Sequence, residues 1–447
     1  MSLCKNLRIP SQRQQYLSSL PIPYPFLIAA LDRYYGITHQ EQPGITEEIL
    51  TYVRKPETAG RKRKPNMKIL LSTFWNYPQI AGLQIYIATL KRGLEELGHK
   101  VDIIAPNHFP AEETRKFRRH IREMNVQFYM QRYGCYSETI VNHNKHLYSY
   151  EMMLRDMNLE EYDIFHAQDR FTANILGRLN QYYRKPLFFT PHGFMTASQF
   201  PRNSQSSVEE AYFTAIDRKA VKAANQIIIL CEAFRPVLSN LGANDKKMIT
   251  VYTGIDFQLD KENTQNRKNQ NKIVITCIAH LKPHKGQNYL LEALALIRSH
   301  LSNVEVLIVG DGPARAQLEK MANDLELSNV YFCGTRTDIP ELLSGSDIYV
   351  LPTTLDTLPI SVIEAMFAGQ AIITTNCGGI PEMIRHRFTG LIVEPKNVKK
   401  LADYLLLLLQ NRKLREQLGR NARHFAKKHL YMRAMAKKIE KIYLNTL

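Results

Sequence analysis

The sequence contains no apolar run long enough to span a membrane. The longest such stretches, residues 26–31 and 404–409, fall far short of the roughly 20 residues that a spanning helix needs. Residues 20–31 have the apolar character of a signal-peptide core, but three prolines interrupt them and Asp32 and Arg33 follow directly. Small residues are expected at a cleavage site, so this pattern argues against secretion. We therefore expect a cytoplasmic protein.

Paired cysteines and metal-binding patterns are missing as well. The chain has six cysteines, none of them in a C-x-x-C motif, and successive ones are separated by about 40 residues or more. Histidine and cysteine do not cluster at the spacing of metal ligands. The sequence therefore predicts reduced, mostly buried thiols and offers no pattern for a metal centre.

Acidic residues are fewer than basic ones, and almost all of this imbalance lies at the two ends of the chain. The 447 residues include 59 Lys and Arg against 42 Asp and Glu, a net charge of +17. Residues 1–66 hold 10 basic and 5 acidic side chains and residues 411–447 hold 11 and 2, which leaves 38 against 35 in 67–410. A basic balance invites a nucleic-acid or membrane-surface interpretation. Because the sequence shows no zinc finger, RNP-like aromatic motif or helix-turn-helix pattern, we expect no nucleic-acid partner.

The remaining composition is that of a globular protein of two or three domains, with 44% hydrophobic and 23% charged residues. Residues 1–66 form an N-terminal extension with short helical patterns at 27–35 and 45–53 and a basic linker at 61–66. From residue 67, short apolar strands alternate with amphipathic helices such as the one indicated over 83–97. The strands expected in this first series are 68–72, 101–105, 163–166, 187–190, 226–230 and 248–251.

A polar stretch at 258–271 separates this series from a second one and is typical of an interdomain linker. The second series includes an amphipathic helix expected over 289–301. Its strands are expected at 273–278, 304–309, 330–333, 348–351, 371–374 and 391–393. After residue 397 the pattern is helical, without strands.

Alternation of strands and helices predicts parallel sheets covered on both faces, so both halves are expected to be doubly wound, Rossmann-like α/β domains. Such sheets bind ligands outside the carboxyl ends of their strands, and two of them facing across a cleft would hold a ligand there. The predicted boundaries are 67–257 for the first domain, 272–425 for the second and 426–447 for a C-terminal helix that crosses back to the first.

A glycine turn after the second strand of the second half resembles the start of a dinucleotide fingerprint. It reads Gly310-Asp311-Gly312-Pro313, but Arg315 occupies the third glycine position. A lone G-x-G is weak support for NAD binding. Pro313 fits better as the first residue of a helix after a tight turn, so we disfavour an NAD site.

The loop at 279–286 places histidines and lysines at the start of a predicted helix. Lys285 and Gly286 stand where free backbone N–H groups and the helix dipole favour an anion. Three other basic side chains, His280, Lys282 and His284, lie close by in the sequence. The pattern suits a diphosphate, and an exposed basic loop without a ligand explains it equally well.

Two carboxylates mark the stretch 355–366. Asp356 precedes a predicted helix, and Glu364 lies one to two turns inside it among apolar neighbours. A carboxylate in such surroundings is costly unless it is hydrogen-bonded, and the hydroxyls of a ribose would be suitable donors. Taken alone, Asp356 is more simply explained as a helix cap or turn residue.

These stretches together resemble the family 4 retaining glycosyltransferases of the two-domain GT-B fold. The resemblance covers residues 67–395 and is specific because its elements occur in order along the chain. In the first half they are Ala81-Gly82, Gly98-His99-Lys100-Val101, His166-Ala167-Gln168-Asp169, Thr190-Pro191-His192-Gly193 and Thr253-Gly254-Ile255-Asp256. In the second half they are Lys285-Gly286, Val309-Gly310-Asp311-Gly312-Pro313, Gly334 with Asp338, Asp356 with Glu364, Gly378-Gly379-Ile380-Pro381-Glu382 and Gly390.

The resemblance implies roles for individual residues. Lys285 would contact the donor diphosphate, Glu364 the ribose and Asp356 the donor sugar, while His192 of the first domain would lie beside the transferred sugar. The implied catalytic residues are therefore His192, Lys285, Asp356 and Glu364. The implied donor-binding residues are Gly82, His280, Lys285, Gly334, Arg336, Leu358, Ile360 and Glu364. The family needs no metal or other cofactor, and this chain has no D-x-D motif.

Three positions depart from the family pattern. Its E-x7-E motif reads D-x7-E here, with Asp356 one methylene shorter. Pro359 replaces a glycine and lacks the backbone N–H that could bind the sugar, and His280 replaces an arginine. We interpret these changes as a shift in donor preference or geometry.

The resemblance implies transfer of a sugar, with retained configuration, from a nucleotide diphosphate sugar to a hydroxyl of a glycan, glycolipid or small molecule, as in polysaccharide biosynthesis. A UDP-sugar is favoured as donor and a GDP-sugar is second. Three alternatives stay open: a sugar-nucleotide 2-epimerase or a phosphorylase of the same fold, or a catalytically silent sugar-nucleotide-binding protein.

One basic stretch bears on the acceptor. Residues 115–122 of the first domain read RKFRRHIR, and this domain binds the acceptor in the family that the sequence resembles. Helices of this type dock to anionic lipid in membrane-associated members, which would place the protein peripherally at the inner face of a membrane. A solvated basic helix explains the stretch slightly better.

Overall fold

A computed structural model describes residues 24–37, 66–79, 82–193, 207–258 and 272–447 of the chain. Taken over these residues, the chain forms two compact units: Met1–Ile229, Arg235–Ile249 and Ile439–Leu447 make up the first, and Leu230–Phe234 and Thr250–Lys438 the second. The helix expected at 45–53 and nearly all of the linkers at 61–66 and 258–271 lie outside the described residues.

The first unit contains a six-stranded sheet. Its strands are β1 (Lys68–Ser72), β2 (Lys100–Ile104), β3 (Ile164–Ala167), β4 (Leu187–Phe189), β5 (Gln226–Ile229) and β6 (Met248–Thr250). The order in the sheet is β2-β1-β3-β4-β5-β6, and the pairs formed by the first five strands are parallel. Each strand that the apolar runs predicted is present, with ends that differ by at most one residue.

Helices connect these strands. They are α1 (Pro25–Tyr34), α2 (Gly82–Glu95), α3 (Ala111–Tyr133), α4 (Glu138–Arg155), α5 (Arg170–Tyr183), α6 (Val208–Ala223) and α7 (Arg235–Asn240). Serine and aspartate side chains begin three of them: Ser137, Asp169 and Ser207 each accept a hydrogen bond from a free backbone N–H of the first turn. The central strands are apolar on both faces and fully buried, as expected where helices cover both sides of a sheet.

The second unit contains its own six-stranded, all-parallel sheet. Its strands are β7 (Ile273–Ile278), β8 (Val304–Val309), β9 (Val330–Gly334), β10 (Ile348–Leu351), β11 (Ala371–Thr375) and β12 (Leu391–Val393). Its helices are α8 (Gln287–Leu296), α9 (Arg315–Asp324), α10 (Ile339–Ser344), α11 (Ile360–Ala368), α12 (Ile380–Met383), α13 (Val398–Gln410), α14 (Arg412–His429) and α15 (Met432–Thr446). The order β12-β11-β10-β7-β8-β9 is that of a Rossmann fold. Both halves are therefore doubly wound, as predicted.

Several helix boundaries differ from the sequence-based expectation; α2, for example, ends at Glu95 rather than at residue 97. Pro313 does not begin a helix: α9 starts at Arg315, because a turn through Ala314 first bonds the Ala314 N–H to the Leu281 carbonyl at 3.0 Å. The helix expected over 289–301 ends at Leu296, and a 3₁₀ turn, Arg298–His300, follows it.

No helix within the described residues is long and apolar enough to cross a membrane.

Candidate active site

The strand order of the second unit identifies one edge of its sheet as the place for a ligand. The strand order reverses between β7 and β10, and ligands of doubly wound sheets bind outside the carboxyl ends of the strands at such a switch point. The loop after β7 contains Lys285, and the loop after β10 contains Asp356. Residues that the sequence places far apart thus meet at this edge.

Backbone contacts fix these two loops against each other. The His284 carbonyl accepts hydrogen bonds from the Thr354 N–H at 2.7 Å and from the Thr353 hydroxyl at 2.9 Å. Gly286 has a φ of +78°, and a Cβ there would lie 2.0 Å from the Pro352 carbonyl oxygen. Only glycine allows this approach, so the position of Lys285 is set by the adjoining turn.

Lys285 and Asp356 form an ion pair at the switch point. The Lys285 Nζ lies 2.5 Å from the Asp356 Oδ2, and the two side chains are 20% and 12% exposed. The other oxygen of Asp356 accepts from the Thr357 N–H at 3.1 Å. Asp356 does not cap α11, whose N-cap residue is Pro359, so the helix-cap explanation is wrong and that of a turn residue stays open. The structure instead joins the two residues that the resemblance assigns to diphosphate and sugar.

Glu364 presents a carboxylate without a protein partner. It is the fifth residue of α11, and burial raises its pKa to about 7. Its carboxylate makes no hydrogen bond or ion pair with any described residue. Because a desolvated carboxylate gains most from hydroxyl donors, this group suits a ligand that supplies them.

The N-terminus of α11 lies next to these carboxylates. Burial, Glu364 and Asp356 all raise the pKa of Tyr349, which indicates that both carboxylates lie near its hydroxyl. Within the described ranges, the backbone N–H groups of Leu358 and Ile360 have no hydrogen-bond acceptor. Free N–H groups at a helix start favour an anion.

His280 and the glycine turn after β8 line the same edge. The side chain of His280 is exposed, and a Cβ on Gly312 would lie 2.9 Å from its Nδ1. The Leu281 N–H donates to the Asp311 carbonyl at 2.9 Å, which joins the loop after β7 to the turn after β8. Gly310 and Gly312 therefore allow the loop after β7 to approach this turn closely.

Gly334 and Arg336 lie farther along this edge, after β9. The Gly334 carbonyl accepts from the Gly310 N–H at 2.8 Å. Arg336 is half-exposed and binds Asp338 through two nitrogens, at 2.8 and 2.5 Å. The guanidinium thus already has a carboxylate partner.

His192 and Gly82 belong to the first unit, where both follow carboxyl ends of strands. Gly82 is the first residue of α2, after β1, and His192 follows β4. The His192 Nε2 lies 3.0 Å from the Gln168 Oε1, and the Tyr86 ring packs edge-on at 4.4 Å between centroids. Burial lowers the pKa of His192 to about 3, so its imidazole is neutral at physiological pH. A neutral imidazole can accept or donate one hydrogen bond to a sugar hydroxyl.

Several supporting residues were not singled out as site residues. Gln168 holds His192, and the Tyr349 hydroxyl joins β7 to α11 by contacting the Ile278 carbonyl at 3.1 Å and the Ser361 hydroxyl at 2.7 Å. Glu382 accepts from two backbone N–H groups, those of Glu232 and Ala233, at 2.9 and 3.0 Å. The motifs containing Gln168 and Glu382 were visible in the sequence, but their hydrogen-bond partners were not.

Two family models match the chain, one in each half. A family model described as Glycosyltransferase Family 4 matches residues 80–259, and one described as Glycosyl transferases group 1 matches residues 259–425. The chain therefore belongs to the family 4 glycosyltransferases of the GT-B fold and is a glycosyltransferase.

Curated relatives are enzymes of sugar transfer. A Campylobacter jejuni N,N'-diacetylbacillosaminyl-diphospho-undecaprenol alpha-1,3-N-acetylgalactosaminyltransferase is 33% identical over an aligned region. That region covers 45% of this chain and 55% of the relative. An Escherichia coli UDP-Gal:alpha-D-GlcNAc-diphosphoundecaprenol alpha-1,3-galactosyltransferase is 25% identical over 63% of the chain and 74% of its own length. A Mycobacterium tuberculosis GDP-mannose-dependent alpha-(1-6)-phosphatidylinositol monomannoside mannosyltransferase is 32% identical over 34% of the chain and 42% of its length.

Solved structures share the fold. HepE of Anabaena, crystallised with UDP and glucose, matches with a TM-score of 0.64 and 18% identity, over 85% of this chain and all of that one. Sucrose-phosphate synthase from Thermosynechococcus elongatus gives a TM-score of 0.66 at 17% identity, over 85% of this chain and 99% of its own.

Proposed function

We propose that this protein is a retaining glycosyltransferase that takes a sugar from a nucleotide diphosphate sugar bound at the carboxyl edge of the second sheet. The observation that carries the proposal is the pairing of Lys285 with Asp356 beside the unpartnered carboxylate of Glu364. The cation and two free backbone N–H groups match a diphosphate, and the two carboxylates can accept hydrogen bonds from the hydroxyls of a ribose and a sugar.

Each group has a defined task in the proposed reaction. Lys285 and the free N–H groups of Leu358 and Ile360 stabilise the diphosphate as it leaves with the bonding electrons of the anomeric carbon. Glu364 holds the ribose, and Asp356 turns from Lys285 to a hydroxyl of the sugar. The acceptor hydroxyl then bonds to the anomeric carbon and gives its proton to the departing diphosphate. We propose that no metal is required, because Lys285 and the helix start supply positive potential.

The donor is proposed to be a UDP-sugar, with a GDP-sugar second. The Escherichia coli relative is named for UDP-Gal and aligns over more of the chain than the Mycobacterium tuberculosis relative, which is named for GDP-mannose. The shorter Asp356 and the imidazole of His280 are proposed to adjust which sugar is accepted.

A donor screen tests this proposal. Candidate UDP-, GDP- and ADP-sugars are incubated with the protein, with and without EDTA, and release of the nucleoside diphosphate is followed. We expect release from one class of donor, unchanged by EDTA. An epimerised sugar nucleotide without release would indicate the epimerase alternative. Donor binding without turnover on any acceptor would indicate a silent binder.

We also propose a lipid-linked acceptor and peripheral association with an anionic membrane surface. The Campylobacter and Escherichia coli relatives are named for diphospho-undecaprenol acceptors. In this chain, α14 exposes Arg420, Arg423, Lys427 and Lys428. Such a basic helix face attracts anionic lipid at low salt. Co-sedimentation with phosphatidylglycerol vesicles is the expected result, and its absence at low salt would refute the membrane association.

A further inference from the structure

A basic pocket lies in the first unit, at the same edge of the sheet as Gly82 and His192. Its volume is about 620 Å³, which is within the usual range for a small-molecule site. It lies beside Asn76, which follows β1, and Pro106 and Asn107, which follow β2. Two helices, α3 and α4, supply its cationic lining and one histidine: Arg115, Arg118, Arg119, Arg122, Lys145 and His146.

The four arginines share one face of α3. They occur at positions i, i+3, i+4 and i+7, so their side chains lie on the same side of the helix. Like charges at this spacing repel one another and destabilise a helix in the absence of a compensating anion. None of the described residues that line the pocket is acidic.

Protein partners compensate only part of this charge. Arg122 binds Glu138 at 3.0 and 3.1 Å, and the Lys145 Nζ donates to the Asn142 Oδ1 at 2.5 Å. Arg115 and Arg119 are exposed and make no hydrogen bond or ion pair with any described residue. The guanidinium groups of Arg115, Arg118 and Arg119 therefore line the pocket without a carboxylate partner among the described residues.

Arg118 gives an independent sign of a missing anion. Its Nε is buried and has no hydrogen-bond partner among the described residues, and burial lowers the pKa of its guanidinium. A buried guanidinium nitrogen without a hydrogen-bond partner is costly unless a ligand supplies an acceptor. Burial first, and then the charges of Arg118 and Lys145, lower the pKa of His146 to about 4, so its imidazole is neutral beside these cations.

We infer that this pocket binds a phosphoryl or diphosphoryl group carried by the acceptor. The inference rests on the proposed function, because it names the chemical class of the acceptor. Arginine forks match the oxygens of phosphate with paired hydrogen bonds, and the concave shape suits a discrete anionic group better than a flat lipid surface. His146 adds a neutral donor or acceptor for one further oxygen. The group belongs either to an acceptor diphosphate or to a lipid headgroup that enters the same pocket.

Pyrophosphate is a suitable probe, provided that the donor site cannot bind it. The full chain carrying Lys285→Ala is titrated with inorganic pyrophosphate by calorimetry, alone and with Arg115→Gln/Arg119→Gln added. Both arginines are exposed, so their replacement is expected to leave the fold intact, which thermal unfolding checks. Lys100→Gln/Lys246→Gln is the matched control: it removes the same charge from exposed positions of the first unit outside the pocket.

We expect pyrophosphate to bind, with a dissociation constant raised roughly tenfold or more by the arginine pair and little by the lysine pair. An equal loss in both variants would indicate general charge attraction and would overturn the proposal. Absence of pyrophosphate binding in the Lys285→Ala parent would overturn it too.

Vesicles distinguish the two sources of the group. Co-sedimentation with mixed phosphatidylglycerol and phosphatidylcholine vesicles is compared for the same variants. Pyrophosphate binding that depends on the arginine pair, with unchanged co-sedimentation, supports an acceptor diphosphate; parallel losses of both support a headgroup bound in the same pocket. Loss of co-sedimentation alone would assign the arginines to a membrane surface and refute the inference.

This test is independent of the donor reaction, because Lys285→Ala is present throughout. A failed donor screen alongside arginine-dependent pyrophosphate binding would refute the transferase proposal alone. Turnover of a sugar nucleotide by a protein that fails the pyrophosphate test would refute the pocket alone.

Discussion

Lys285 and Asp356 neutralise each other in the free protein, although the resemblance gives them different partners on the donor. The 2.5 Å contact between them joins two loops that are 71 residues apart in the sequence. A donor that uses both groups must separate them, so part of its binding free energy goes into opening this pair. The pair was not predictable from the sequence, because it depends on β7 and β10 lying side by side.

Asp356→Asn should therefore affect nucleotide binding and sugar transfer in opposite directions. We expect tighter UDP binding, because Lys285 is no longer neutralised, and a roughly tenfold to hundredfold loss of turnover, because the sugar loses a charged acceptor. Calorimetry and nucleoside diphosphate release measure the two effects. Asp324→Asn is the matched control, since Asp324 pairs with Lys320 at the same 2.5 Å distance on the surface of the same unit. Weaker UDP binding in Asp356→Asn would contradict the proposed roles.

Glu364 illustrates what local sequence can and cannot show. The apolar neighbours of this residue indicate that its carboxylate needs partners, and in the structure burial raises its pKa to about 7. The sequence could not show whether another side chain binds the Glu364 carboxylate, and among the described residues none does. That absence depends on how α11 packs against its sheet.

The raised pKa of Glu364 makes stability depend on pH in a definite direction. Its folded-state pKa lies above the usual value of 4.5, so its contribution to stability is fully present below about pH 4.5 and is lost as pH rises through 7. Glu364→Gln removes this loss and should raise the free energy of unfolding above that of the wild type at pH 8 by roughly 2 kcal/mol, after allowance for partial exposure.

Denaturant unfolding at pH 4.5 and pH 8 measures this difference, and Glu292→Gln on α8 serves as the control. If the free energies of unfolding of wild type and Glu364→Gln differ by the same amount at both pH values, Glu364 is not desolvated in the folded protein.

Among the elements, the strands were the most predictable and the loops the least. Short apolar runs bounded by polar residues identified every strand of both sheets, because burial on two faces leaves little room for polar side chains. The start of α9 was misjudged because the glycine turn before it continues through Ala314 to reach the Leu281 carbonyl. Contacts between loops decide such positions, and they have no local signature.

Gly286 offers a test of how closely the loops after β7 and β10 must pack. Gly286 and Gly134 have similar φ angles, +78° and +70°, but a Cβ at Gly134 would meet nothing within 4 Å. We expect Gly134→Ala to cost roughly 1 kcal/mol from backbone conformation alone and Gly286→Ala roughly 3 kcal/mol, because the second also displaces the Pro352 carbonyl. Thermal unfolding of both variants measures the costs. Equal costs would mean that the loops can move apart freely.

At the scale of the whole molecule, the last helix, α15, is shared between the two units. It begins in the second unit, and its final residues belong to the first. Residues Ile439–Leu447 pack with the first unit: the Tyr443 hydroxyl lies 2.6 Å from the His166 Nδ1, and Glu440 lies 3.0 Å from the His99 Nε2. The motif His166-Ala167-Gln168-Asp169 is thus held partly by residues far away in the sequence. Helical periodicity predicted the terminal helices, and the side chains that they contact became visible only in the fold.

The central claim is that the second unit binds a nucleoside diphosphate through Glu364 and Lys285. Calorimetric titration with UDP of the wild type, Glu364→Ala, Lys285→Ala and the control Glu292→Ala tests it most directly. We predict one UDP bound per chain, at least a roughly tenfold weaker dissociation constant in each of the first two variants, and no change in the control. Binding of UDP with equal affinity in all four proteins, or no binding of UDP, GDP or ADP by the wild type, would contradict it.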